Sequence, residues 1–523
     1  MKPFTITTAI SYPNGRPHIG HAYEAIATDA LARAARMMGR DVFFQTGTDE
    51  HGLKMAQTAR GRGITPMELA TEMSSYFKEM DDALDISYDR FIRTTEPEHH
   101  RASQAIWQAM ADAGDLYLDR YEGWYSVRDE AFYDESELVA GEGSEKLSPQ
   151  GTPVEWTVEE SWFFRLSKYQ QPLLDLFAAQ PDFIQPESRR NEILRFVEAG
   201  LRDLSVSRAS FDWGVKVPGS PDHVMYVWVD ALTNYITGCG YPGDQARMDR
   251  YWAEGGDIVH IIGKDIVRFH TVYWPAFLMS AKLPLPRTVF GHGFLLNRGE
   301  KMSKSLGNVV DPLDWAEKFG VDQLRYFLLA EVTFGNDGSY SAEAIVQRAN
   351  TELGNSFGNL AQRTLSFIAK NLEGRLPERS PNADDEVLLD LVCQAAGTDV
   401  PAAFEKLAPH EAIQAWLRAV FACNQYIDAQ APWALRKTDP ARMEAVLATL
   451  YVAIGRLAAA IAPVIPSSAA KLLDHMGVPQ SARSYEGLAD NWYAGLQAAG
   501  FTVAPPTPLF PRLELPIEDS EDA

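Results

Sequence analysis

The sequence predicts an α/β protein in which a parallel-sheet domain is interrupted by an insertion and followed by an all-α bundle. Three observations predict this. Over residues 1–115 short apolar runs alternate with longer helical patterns, the signature of a parallel sheet with right-handed crossovers. From Tyr117 the texture changes to aromatic runs around Gly-, Ser- and Pro-rich turns. From Ser341 to Met476 the strands stop and Ala/Leu-rich helical patterns take over. At 523 residues the chain is too long for one core, so roughly two to four domains are expected.

Taken in order, residues 5–10 read as a buried strand, Tyr12-Pro13-Asn14-Gly15 as a tight turn, and a helix begins at about Pro17. His18 and His21 stand three apart across Gly20. On a helix that spacing puts both rings on one face, at the end where free N–H groups favour anions. A phosphate site and two surface histidines are both open readings of this stretch alone. Residues 24–38 are helical. Residues 41–47 form a second strand running into Thr48-Asp49-Glu50-His51-Gly52, and a helix with Lys54 follows. Both turns occupy the carboxyl ends of strands, where ligands of such sheets collect.

Residues 121–126 and 131–133 read as short aromatic strands, 141–153 as loop, and 159–166 as another strand. Together they suggest an insertion of roughly ninety residues. Arg189, Arg190, Arg195 and Arg202 near its end are either a solvated helix face or a polyanion contact. Residues 224–229 resume the sheet, and 257–262 form a continuous apolar strand followed by Gly263-Lys264-Asp265-Ile266 and a helix with Phe269, His270 and Trp274. Residues 288–290 form a further strand ending at Gly291-His292-Gly293. Residues 297–308 are a loop with two lysines three apart, Lys301 and Lys304, hinged by Gly299 and Gly307. Such a loop can close on a polyphosphate, or it can be a basic surface loop. The helical region breaks near 377–383, at Pro401 and at Ala431-Pro432-Trp433. Residues 509–515 pack back as a strand, and the last few residues are disordered.

Lys plus Arg number 48 against 71 Asp plus Glu, a formal charge of −23, which argues against indiscriminate nucleic-acid or membrane binding. Three scattered cysteines make no disulfide framework and fit a reducing, cytoplasmic setting. The chain starts directly in a strand, so no signal peptide is expected. Residues 445–465 are apolar, but Arg456 at their middle and Pro463 and Pro466 at their end favour a buried bundle helix over a membrane span.

His18-Ile19-Gly20-His21 together with Lys301-Met302-Ser303-Lys304-Ser305 resembles the paired signature of the class I aminoacyl-tRNA synthetases. The flanking text is similar to the methionyl-tRNA synthetases over essentially the whole chain: residues 9–15, 47–52, 226–231 and 262–266, and the break at Ala431-Pro432-Trp433. The resemblance implies a Rossmann-like catalytic domain (1–115 and 207–290), an inserted connective domain that meets the acceptor stem (116–206), a lysine-loop and stem-contact region (291–340), and a helical anticodon-binding domain with its tail (341–523). It implies activation of L-methionine with ATP and Mg²⁺ to methionyl-adenylate and pyrophosphate. Transfer to the 3′ end of tRNA(Met), initiator tRNA included, follows.

On that resemblance His18, His21, Lys301 and Lys304 are the catalytic set, with Tyr12, Gly20 and Ser303 also at the ATP. Ile10, Tyr12, Asp49, Trp228, Ala231, Leu232, Tyr235, Ile266 and His270 match the methionine pocket, where Asp49 would hold the ammonium. Leu232 replaces the proline of some relatives. Asn359, Arg363 and Trp433 match the anticodon-reading set. Many relatives carry a zinc knuckle in the insertion. Here the matching Tyr125-Ser126-Val127-Arg128-Asp129-Glu130 and residues 141–153 hold no cysteine, so no zinc is expected and aromatic strands should hold the insertion together. Nor is there length for the appended dimer-forming domain of some relatives, so a monomer is expected. The rivals are an Ile, Val, Leu or Cys synthetase, a small-molecule nucleotidyltransferase, or a catalytically dead tRNA-binding protein. The first lacks its long editing insertion or metal cysteines here, the second does not explain the helical domain, and the third does not explain two intact motifs.

Overall fold

The computed structural model describes residues 2–515 apart from 127, 129–130, 142, 298–299, 302–308 and 490. Lys304 and Ser303 of the lysine loop, and the tail expected to be disordered, lie outside the described residues. Of Lys301 only the backbone is described, paired with Leu296 in a two-strand ladder.

Six parallel strands form the main sheet. β1 (Pro3–Thr7) lies at its centre, with β2 (Asp41–Thr48) and β3 (Arg90–Arg93) to one side. The strands Ile258–Gly263, Thr288–His292 and Ile184–Gln185 complete the other side. The register pairs Thr7 with Gln45 on one side and with His260 on the other. The strand order therefore reverses at β1, opening a crevice at the carboxyl ends of β1 and Ile258–Gly263. Ile184–Gln185 comes from within the segment read as inserted, yet it pairs with Val289 and Phe290 of the main sheet.

Helix α1 (Ile19–Met37) follows β1, and α2 (Leu53–Arg62), α3 (Pro66–Ala83) and α4 (Pro97–Asp112) follow in turn. β1 ends at Thr7 rather than at residue 10. Beyond it the chain stays extended but bonds to both neighbours: Ala9 N–H to Ile261 O (3.1 Å) and Ser11 N–H to Gly47 O (2.9 Å). This splay presents Ile10 and Tyr12 at the crevice. Gly47 permits the approach of β2 to β3, since a Cβ there would sit 2.0 Å from Ile92 O.

The insertion is built on two long strands, longer than expected at 121–126 and 159–166, with the expected short strand at 131–133 beside them. β4 (Leu116–Ser126) runs antiparallel to Glu155–Phe164, and β5 (Ala131–Tyr133) adds to its edge. Its distal end is held by Trp124 against Trp156 and by Lys146 over the Trp124 ring. A buried hydroxyl cluster adds to these aromatic contacts: Ser126 and Ser148 both bond to Thr152 Oγ1, at 2.6 and 2.8 Å.

The expected sheet strand at 224–229 is not there. Ser220–Met225 belongs to a small antiparallel sheet, and the chain turns into the helix Val227–Gly238. The run Met225–Val229 is continuously apolar, which suits a buried strand and a buried helix equally. Packing decides, because Val229, Leu232, Tyr235 and Ile236 recur at helical spacing in one core.

In the helical region Pro401 does not break the chain. A π-helical turn, Ala395–Asp399, precedes it and absorbs the missing N–H, so Val400–Glu405 continues the helix. At Ala431 the backbone is left-handed (φ 45°) and a new helix, Pro432–Thr438, begins. Helix Pro440–Ile461 is apolar enough to cross a membrane, yet its most apolar window is 94% buried against its neighbours. Residues 509–515 pack back without forming a strand. Their partner is a helix whose backbone groups are already used, so the Asn350 side chain takes the role of a strand, accepting from Leu513 N–H and donating to Leu513 O (both 2.9 Å).

Arg325, fully buried, joins the bundle to the sheet domain. It pairs with Asp29 of α1 at 2.5 Å and donates to the carbonyls of Leu84, Pro463 and Val464 at 3.0–3.1 Å.

Candidate active site

A cavity of about 530 Å³ fills the crevice at the end of β1. Every residue matched to the ATP or methionine site whose side chain is described lines it: Ile10, Tyr12, His18, Gly20, His21, Asp49, Trp228, Ala231, Leu232, Tyr235, Ile266 and His270.

The two histidines are not both on the helix. α1 starts at Ile19 because His18 is its N-cap. His18 Nδ1 accepts from Gly20 N–H and His21 Nδ1 accepts from His18 N–H, both at 3.1 Å, a reciprocal capping box made from imidazoles. Accepting at Nδ1 puts the proton of each neutral ring on Nε2. The cap therefore fixes the tautomer and orients two N–H donors beside each other, with ring centroids 3.9 Å apart. Phe77 of α3 backs His21 edge-on at 5.1 Å.

A second group of rings lies on the side of the Val227–Gly238 helix. Trp228 stacks on Phe269 at 3.8 Å, and Tyr235 O–H donates to His270 Nε2 at 2.7 Å. Ile266 O can only accept, so His270 Nδ1 carries the ring proton (3.0 Å) and Nε2 is the acceptor for tyrosine. Burial pushes His270 down to about 4, and the ring is neutral near pH 7. The result is an apolar, aromatic slot with one hydroxyl and one neutral imidazole.

Asp49 reaches the cavity because its loop is pinned residue by residue. Its own N–H donates to Ser11 O at 2.9 Å. Glu50, fully buried, accepts from Arg93 Nε (2.6 Å), Thr48 Oγ1 (2.9 Å), Thr95 Oγ1 (2.5 Å) and the Ser74 hydroxyl. Gly52 closes the loop at φ 107°, a backbone that favours glycine.

Other lining residues went unassigned at the sequence level. Glu24 accepts from Ala9 N–H (2.9 Å) and from His292 Nε2 (2.8 Å), tying α1 to the ends of two strands. Burial opposes charge on His292, but the hydrogen bond and charge of Glu24 outweigh it and raise the imidazole above its usual value. Glu24 follows His21 by three residues, so helical spacing alone puts it on the same face. His292 closes the strand Thr288–His292 and Asp265 stands just past Ile258–Gly263, where the switch-point rule looks for ligand contacts. Arg128 and Gln150 enter from the insertion.

Some distance along the chain, Arg363 and Trp433 come together: the guanidinium sits 5.1 Å from the indole centroid and pairs with Asp428 at 2.9 Å. Trp433 is 46% exposed, unusual for so large an apolar ring. Asn359, one turn before Arg363, lines a second cavity of about 430 Å³ with Asn355, Gln362 and Arg512.

Comparison with known proteins places the chain in a family. The family described as tRNA synthetases class I (M) matches residues 4–365, and the anticodon binding domain of methionyl tRNA ligase matches residues 382–521. A methionine–tRNA ligase of Brucella suis is 56% identical over 510 residues, covering 97% of this chain and 98% of that protein. One from Rhizobium meliloti is 55% identical over 516 residues, 98% and 99% of the two chains. The solved Mycobacterium tuberculosis methionyl-tRNA synthetase in complex with methionyl-adenylate superimposes with a TM-score of 0.93 at 53% identity, over 98% of this chain and all of that one. The free form of that synthetase gives 0.87. The chain belongs to the methionyl group of the class I tRNA synthetases.

Proposed function

We infer that the protein is a methionine–tRNA ligase, an ATP-dependent enzyme that activates methionine as its adenylate and transfers it to tRNA. The observation that carries the assignment of roles is the convergence of paired imidazole donors, a carboxylate and an aromatic slot in one crevice. Asp49 holds the methionine ammonium as a charge-assisted pair. The side chain enters the slot of Trp228, Ala231, Leu232, Tyr235, Ile266 and His270, where polarizable sulfur suits aromatic edges. Tyr12 and Ile10 separate this slot from the nucleotide, so one segment meets both substrates.

The methionine carboxylate oxygen attacks the α-phosphorus of ATP in line; that P–O bond forms as the bond to pyrophosphate breaks. His18 and His21 donate from Nε2 to the phosphate oxygens as charge shifts toward the leaving group. Lys301 and Lys304 neutralise the departing pyrophosphate, with Ser303 beside them. Mg²⁺ arrives on the triphosphate as part of that substrate and shares its charge. A terminal ribose hydroxyl of tRNA then attacks the adenylate carbonyl and AMP leaves. Since no covalent enzyme intermediate is needed, positioning and charge stabilisation carry the catalysis.

Asn359, Arg363 and Trp433 read the anticodon: the exposed indole offers a stacking face, and Arg363 and Asn359 offer edge donors on one helix face. The substrates include initiator as well as elongator tRNA(Met). The enzyme acts as a cytoplasmic monomer, and the lack of cysteine at residues 125–130 and 141–153 supports its needing no zinc. Incubation with ATP, tRNA(Met) and labelled methionine should yield labelled methionyl-tRNA. Labelling of that tRNA by another amino acid instead would overturn the reading.

A further inference from the structure

Asp230 lies on the Val227–Gly238 helix among residues that line the cavity, but it does not line it. At about 100° per residue, Asp230 and Thr237 share one helix face while Trp228, Ala231 and Tyr235 share another. Asp230 is fully buried and faces away from the slot. Two buried histidines grip it there. His51 Nδ1 approaches one carboxylate oxygen at 2.6 Å and His99 Nε2 approaches the other at 2.7 Å.

Donor accounting makes this arrangement specific. A carboxylate only accepts, so both of those nitrogens carry protons. Thr237 Oγ1 donates its single proton to Thr233 O at 2.9 Å. His99 Nδ1 lies 3.2 Å from the same oxygen. His99 thus grips two successive turns of the helix from α4, and His51 grips it from the loop that carries Asp49. An amide at position 230 would turn an N–H toward a donor, and a shorter side chain would leave buried donors unmet, which is costly.

The consequence concerns the slot. Asp49 and His51 are two residues apart on one pinned loop; one faces the cavity and the other holds the opposite wall from behind. We propose that Asp230, clamped by His51 and His99, is a positioning residue that sets the distance between Asp49 and the aromatic wall, and so fixes selectivity for the length of the bound amino acid. This rests on the reading of the cavity as a methionine-activating site. The clamp acts on the amino-acid side of the cavity and leaves the imidazole capping box untouched.

Methionine-dependent ATP–pyrophosphate exchange tests it, with KM measured separately for methionine and ATP on variants checked for folding by far-UV circular dichroism. Asp230→Asn should raise the methionine KM on the order of 10- to 100-fold with little change for ATP, the scale of a misplacement near 1 Å. The amide variants of the histidines give a sharper pattern. An asparagine nitrogen stands where Nδ1 does and a glutamine nitrogen where Nε2 does. His51→Asn and His99→Gln should therefore keep the methionine KM far closer to that of the wild type than His51→Gln and His99→Asn. That comparison stands even if Asp230→Asn does not fold. Equal effects of both amides at each position, or ATP and methionine KM rising together, would overturn the proposal. A wild-type enzyme that exchanges with a different amino acid would instead overturn the function itself.

Discussion

Replacing His18 with asparagine separates the two tasks of that residue. As N-cap, His18 accepts from Gly20 N–H at 3.1 Å and closes the first turn of α1. Asparagine is among the best N-caps, and its oxygen takes the place of Nδ1, so the helix start should keep its stability to within about 0.5 kcal/mol. His18→Ala, which removes the cap, should cost about 1 kcal/mol. What asparagine cannot supply is the N–H on the far side of the ring. Loss of one pre-oriented donor to a developing anion costs on the order of 10²- to 10³-fold in kcat, or roughly 3–4 kcal/mol at the transition state. Methionine-dependent pyrophosphate exchange on the three proteins, with urea unfolding alongside, should show His18→Asn stable but slow and His18→Ala both slower and less stable. A His18→Asn enzyme that keeps the wild-type rate would refute the claim that the imidazole acts through Nε2. The cap would then be its whole contribution.

Trp433→Ala should weaken tRNA binding by about 1–3 kcal/mol, the worth of one base–aromatic stack, and should leave pyrophosphate exchange alone; an equal loss in exchange would point to a folding role. Arg325→Met removes one partner of the buried Asp29 pair and three hydrogen bonds to carbonyls, so it should cost about 3–5 kcal/mol by denaturant midpoint, and a loss under about 1 kcal/mol would contradict the reading of that joint. The acid limb of stability should carry His270. Its folded value is lowered to about 4 while an unfolded histidine titrates near about 6.5, so the unfolded state binds the proton first. Its contribution is complete above about pH 6.5 and is lost as the pH falls toward 4. Urea midpoints of wild type and His270→Gln should therefore diverge over that window, and parallel curves would count against a buried neutral imidazole.

Much of the site was readable because it sits where strands end. The turn at Tyr12-Pro13-Asn14-Gly15 and the loop from Thr48 to Gly52 follow short apolar runs, and residues past such ends line the crevice. Three kinds of feature were not readable. The first is the boundary between strand and helix inside an apolar run, as at Met225–Val229, where only packing decides. The second is a change of hydrogen-bond register, as at Pro401, where a π-turn removes the conflict that proline usually creates. The third is pairing across long separations. Asp230 meets His51 from 179 residues away and His99 from 131, and no local pattern links those positions. Glu24, by contrast, was accessible from its spacing to His21, although its pairing with His292 links positions 268 residues apart.

Exchange of labelled pyrophosphate into ATP, run on the wild-type protein with each amino acid in turn and no tRNA, bears most directly on a single crevice that brings one amino acid to one nucleotide. Methionine should support exchange strongly, and isoleucine, valine, leucine and cysteine should support little. Exchange driven by any of those four in preference to methionine, or none with methionine, would contradict it.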